Sequence, residues 1–125
     1  MRALLLAFLA TAAAAQACDL PGSPAQKIES GKYLVLYRAN PSPLKVGQYF
    51  GLEFAVCPAP DSVRVDATMP EHRHGMNYRP TVTATGEGRY KAEGLMFHMA
   101  GRWELMFEVR SGGKTERIVQ SIRLE

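Results

Sequence analysis

The sequence predicts an all-β fold, an antiparallel sandwich of seven strands, and three observations predict it. Short runs of β-branched, aromatic and aliphatic residues recur at close spacing. Clusters of Pro, Gly, Asn and Ser separate them, and almost no stretch carries a helical period. The size suits one domain: of 125 residues, the first 17 read as a leader, and about 100 remain to build a single core.

The leader comes first. Arg2 supplies its positive start, Ala3–Ala15 an apolar run with one Thr, and Ala15-Gln16-Ala17 a small-residue cleavage site. That is the pattern of a secretory signal peptide over residues 1–17, too short for the roughly 20 apolar residues of a membrane span. Without it the chain keeps 14 basic side chains against 12 acidic ones, since the leader holds only Arg2. A net +2 with interspersed signs excludes a nucleic-acid footprint, and about two apolar residues in five exclude disorder. The expected location is the periplasm.

Residues 18–30 form a polar, Pro-containing lead, and the sandwich domain is expected over 31–125. Its first run is Lys32–Ala39, closed by Asn40-Pro41-Ser42-Pro43. Tyr49–Cys57 is the second, ended by Pro58-Ala59-Pro60-Asp61. Val63–Thr68 alternates cleanly as the third, and a long loop from Met69 to about Arg79 leads to Thr81–Thr85. Gly86–Gly88 turns the chain into Arg89–Glu93. Arg102–Arg110 places Trp103, Leu105, Phe107 and Val109 on one face, Ser111-Gly112-Gly113 marks a hairpin, and Thr115–Leu124 closes the fold. Seven such strands argue for an immunoglobulin-like (cupredoxin-like) sandwich.

Strand direction then yields geometry. If successive strands alternate in direction, the connections after the first, third and fifth share one end, and the start of the first strand lies at the other. Cys57 closes the second strand and Cys18 precedes the first, so both fall at that other end. Two fates are open to Cys18: a lipid anchor at the cleavage point, or a disulfide to Cys57. A bridge would close a loop of about 40 residues, worth about 4 kcal/mol in the chain-entropy account.

The chemistry concentrates at the first end. Two of its loops, Met69-Pro70-Glu71-His72-Arg73-His74-Gly75-Met76 and Leu95-Met96-Phe97-His98-Met99-Ala100-Gly101, hold all three histidines and four of the six methionines. Imidazole and thioether suit copper, and thioether selects Cu(I) over Zn, Ca or Mg. Both donors survive where cysteines are oxidised. His72, His74 and Met76 are spaced by two, so an extended segment would put them on one face, and Pro70 and Gly75 argue against a helix there. The candidate metal ligands are Met69, His72, His74, Met76, His98 and Met99. Met69 has an equal reading as a plug at the end of its strand. Trp103 reads as the core tryptophan, with a cap over a soft cation as the alternative. Glu71 and Arg73 are expected to point away, and Asp66 and Glu53 are candidate acceptors for ring N–H groups.

The segments DATMPEHRHGM, PTVT and GRYKAEGLMFHMAGRWEL, with M-P-x-H-x-H-G-M and G-x-W-x-L within them, resemble the YtkA-like family of exported small domains over about residues 31–124. The resemblance implies an immunoglobulin-like sandwich in the bacterial envelope, associated with copper handling. Its pattern falls on Met69, His72, His74 and Met76, and on His98 in the second loop.

The expected function is therefore an exported copper-binding protein, a chaperone or tolerance factor, with Cu(I) favoured over Cu(II). Its partners would be the metal ion and a copper-accepting envelope protein, with no nucleic acid, and with the membrane only if Cys18 is lipidated. The alternative is an envelope interaction module that binds no metal. An enzyme is not expected, because H-E-x-x-H, G-x-S-x-G and a Gly-rich phosphate loop are all missing from the sequence.

Overall fold

The structure is a computed structural model that describes residues 18–125, so the leader expected over 1–17 lies outside the described residues. Alternating apolar residues build two antiparallel sheets. The strands are β1 (Gln26–Ser30), β2 (Tyr33–Asn40), β3 (Tyr49–Cys57), β4 (Ser62–Met69), β5 (His74–Gly75), β6 (Thr81–Gly86), β7 (Arg89–Met96), β8 (Gly101–Ser111) and β9 (Lys114–Leu124). One sheet runs β1-β2-β3-β7-β6 and the other β5-β4-β8-β9. The all-β antiparallel sandwich is thus as the sequence predicts, and all seven expected strands are present.

The two additional strands have physical reasons for being hard to see. β1 lies in the polar lead and reads QKIES, with only Ile28 and Ser30 half-buried. It is an edge strand held by pairing to β2, from Gln26 opposite Tyr37 to Ser30 opposite Tyr33. β5 is two residues long and exists because Thr68 and Met69 of β4 pair with Gly75 and His74.

The alternation in β8 buries Trp103, Leu105, Phe107 and Val109 completely. They meet Phe54, Leu52 and Val35 of the facing sheet in one apolar core that contains no buried polar or charged residue among those described. Phe107 contacts both Tyr37 and Phe54 across the two sheets, at ring-centre distances of 5.7 and 5.1 Å.

The lead is also tied down through side chains, one of them Asp19, which pairs with Arg89 at 3.4 Å. Cys18 and Cys57 form a disulfide, which leaves the Cys18 sulfur no valence for a thioether-linked lipid. The Arg38 guanidinium donates to the carbonyls of Leu20, Pro21 and Ser23 and pairs with Glu53 at 2.7 Å. Among the described residues no helix is long and apolar enough to cross a membrane.

Candidate metal centre

The connections after β2, β5 and β7 gather at one end of the sandwich, where the Gly47 N–H donates to the Phe97 carbonyl at 2.9 Å. The first histidine loop leaves β4 through a 3-10 turn over Pro70–His72. Its N-terminal Pro costs no hydrogen bond in a first turn, so Pro70 is compatible with this turn although it argues against a helix running through it. Arg73 follows in the left-handed region at φ 54° and reverses the chain into β5. The segment is therefore not extended, and the expectation of a single face set by a period of two fails at His72.

Two histidines nonetheless meet there, because the turn and the short strand fold against each other. The rings of His72 and His74 lie 5.8 Å apart, and those of His74 and His98 lie 5.2 Å apart. Burial rises along this row: His72 is exposed, and His74 and His98 are half-buried. Nδ1 of His74 is 3.0 Å from the Gly75 carbonyl. A carbonyl only accepts, so Nδ1 carries the proton and Nε2 keeps its lone pair for a ligand. Nδ1 of His98 is sealed from solvent and has no hydrogen-bond partner. An unmatched polar atom of this kind costs about 1–3 kcal/mol.

Trp103 forms the floor. It is fully buried, stacks on Phe97 at 4.7 Å and 12°, and donates Nε1–H to the Met99 carbonyl at 3.0 Å. His98 and His74 meet it edge-on at 5.4 and 6.0 Å. Met69 is fully buried, as a plug would be. Its methyl lies so close to Gly101, at φ 124°, that a Cβ there would stand 2.9 Å away. Met76 and Met99 are half-buried against the core, and the Met76 N–H donates to the Ala67 carbonyl. Among the described residues, no three His, Cys, Asp or Glu side chains are placed to hold an ion together, so an ion at this end needs sulfur donors or a small ring movement.

The carboxylates serve other partners. Asp66 accepts from the Ala67 N–H at 2.8 Å and Glu53 is bound to Arg38, so neither is engaged with an imidazole as expected. Glu71 points to Arg102 at 2.7 Å, and Arg102 also reaches Glu104 at 2.9 Å. The hydrogen bond from Arg102 holds the Glu71 carboxyl below its ordinary 4.5. A depressed value means the pair is intact at neutral pH and is lost only as pH falls through the folded-state value, below 4.5. A 13C titration of the Glu71 carboxyl should show a midpoint below 4.5 that returns upward in Arg102→Ala. Sequence reasoning also missed an exposed aromatic pair at this end: Tyr49 and Tyr78 meet at 5.1 Å, at 53% and 39% exposure. Its partners lie far apart in sequence, and only the meeting of loops reveals it.

The site thus belongs to a small two-sheet sandwich that collects three imidazoles over a buried tryptophan at one loop end. Residues 56–108 match the YtkA-like family, a stretch from the end of β3 into β8 that contains all six candidate donors. No curated protein and no solved structure matches the chain.

Proposed function

We propose that the protein is an exported carrier of a soft metal ion, copper as Cu(I) foremost, held at the histidine end and passed to an acceptor in the envelope without chemical change. The observation that carries this reading is the row His72–His74–His98 with the unmatched Nδ1 of His98 at its inner end. Two imidazoles on one ion, with metal–nitrogen bonds of about 2.0 Å, have ring centres on the order of 5–6 Å apart. The observed 5.2 and 5.8 Å fall in that range. A cation would also satisfy the stranded nitrogen, and Met76 and Met99 supply nearby thioether of the kind that favours Cu(I). Met69, fully buried, fits a structural role better than a ligand role.

The copper is cargo. The chain's own contributions are an Nε2 lone pair on His74 fixed by the Gly75 carbonyl, a buried floor that keeps water from the inner side, and loops that present the donors to a second protein. Trp103 is the sole tryptophan, and its ring lies within 6.0 Å of two histidines, so it reports on the site directly. Anaerobic Cu(I) or Ag(I) should quench its emission at one equivalent and raise the unfolding temperature. A thousandfold excess over Kd stabilises by about 4 kcal/mol. Unchanged emission and unchanged melting with Cu(I), Ag(I), Cu(II) and Zn(II) would sink the proposal.

A second reading has one observation in its favour. The exposed Tyr49–Tyr78 pair, with exposed Val46 on the neighbouring loop, is the composition of a protein contact. An interaction module predicts no metal effect, and Tyr49→Ala would then weaken partner binding while leaving the metal titration flat.

A further inference from the structure

The row of imidazoles is graded, and the gradient assigns an order to its members. This inference rests on the metal-carrier reading above. His98 sits innermost, with a sealed and unpartnered Nδ1 and its ring against Trp103. His74 is intermediate and fixed by its own strand through the Gly75 carbonyl. His72 is exposed, and it is the last residue of a single 3-10 turn that buries no residue. That turn has one backbone hydrogen bond of its own, from the Arg73 N–H to the Pro70 carbonyl at 3.3 Å. Among the described residues, its one side-chain tether is the Glu71–Arg102 ion pair, braced from below by Glu104.

We propose that His72 is the exchange ligand, through which the ion arrives and leaves, that His74 and His98 are the retaining ligands, and that Arg102 is a positioning residue acting through Glu71. The physical argument is mobility. A donor on an exposed turn with one tether swings away at small cost, whereas a donor wedged against a buried ring must disturb the core to leave. Handover then begins with the bond from the ion to His72 breaking while a bond to a donor of the acceptor forms. The ion keeps its oxidation state, and no proton or electron need be supplied. The Glu71–Arg102 pair keeps His72 near its ring neighbour at 5.8 Å and so slows release.

The test is stopped-flow transfer of Cu(I) from the protein to excess bicinchoninate, alongside equilibrium competition with the same chelator. His72→Ala should speed release about tenfold and slow loading, and so weaken affinity by more than that factor. His98→Ala should weaken affinity at least a hundredfold. Arg102→Ala removes no donor atom, and it should speed release severalfold, with Arg102→Lys restoring most of the slow rate. Because His72 is exposed, His72→Asn gives a second variant whose folding is not in question. Release from His72→Ala at the wild-type rate would overturn the assignment, and so would equal affinity losses for His72→Ala and His98→Ala. A wild-type rate in Arg102→Ala would overturn the positioning role. Failure of the unmutated protein to bind Cu(I) at all would instead overturn the carrier reading and this order with it.

Discussion

Replacing Cys18 and Cys57 together by serine will lower the unfolding free energy by about 4 kcal/mol, the cost of freeing a loop whose ends are 39 residues apart. For a domain of this size that is a large fraction of total stability. Denaturant unfolding should show the midpoint falling, with the slope shifted by the more expanded unfolded chain. The loss should not reach the histidine end. Cys57 closes β3 and Tyr49 opens it, so the length of that strand, roughly 25 Å, separates bridge from histidines. Stability and metal affinity should therefore come apart in this variant, provided affinity is measured where it remains folded.

His98→Leu is the second large effect, and it acts in opposite directions on the two properties. In the metal-free protein the sealed Nδ1 has no partner, and its desolvation is uncompensated. Leucine removes the polar atom and keeps apolar contact with Trp103, so the metal-free variant should be as stable as the parent or more stable by about 1 kcal/mol. Stabilisation by Cu(I) or Ag(I) should meanwhile vanish, with an affinity loss of at least a hundredfold. Melting curves with and without the ion measure both. If His98→Leu destabilises the metal-free protein by several kcal/mol, His98 is a packing residue and the stranded nitrogen has been misjudged.

These expectations depend on features that differ in how visible they are in the sequence. The strands are visible because period-two burial and β-forming residues coincide. Trp103, Leu105, Phe107 and Val109 share a face in the sequence and are all fully buried in the fold. The loop end is visible too, because alternating strand directions oblige the His72–His74 and His98 loops to share an end. Below that level the sequence is silent for identifiable reasons. β1 is polar and owes its existence to pairing with β2 rather than to its own composition. Pro70 argues against an α-helix, and the same proline opens a 3-10 turn that replaces the extended segment. Asp66 and Glu53 are plausible acceptors by residue type, but the backbone of Ala67 and the guanidinium of Arg38 take them instead. The Glu71–Arg102 tether joins residues 31 positions apart and depends on the turn lying over the start of β8. Such contacts belong to the tertiary level, where no local pattern records them.

The central claim is that the histidine end binds a soft metal ion, and its most direct measurement is an anaerobic Cu(I) competition titration of the chain from Cys18 onward against a chromophoric chelator. The account predicts one site with a Kd on the order of 1 pM or tighter, weakened by more than a hundredfold when His74 and Met76 are both replaced by Ala. No competition with the chelator, or competition unaffected by the double replacement, would contradict it.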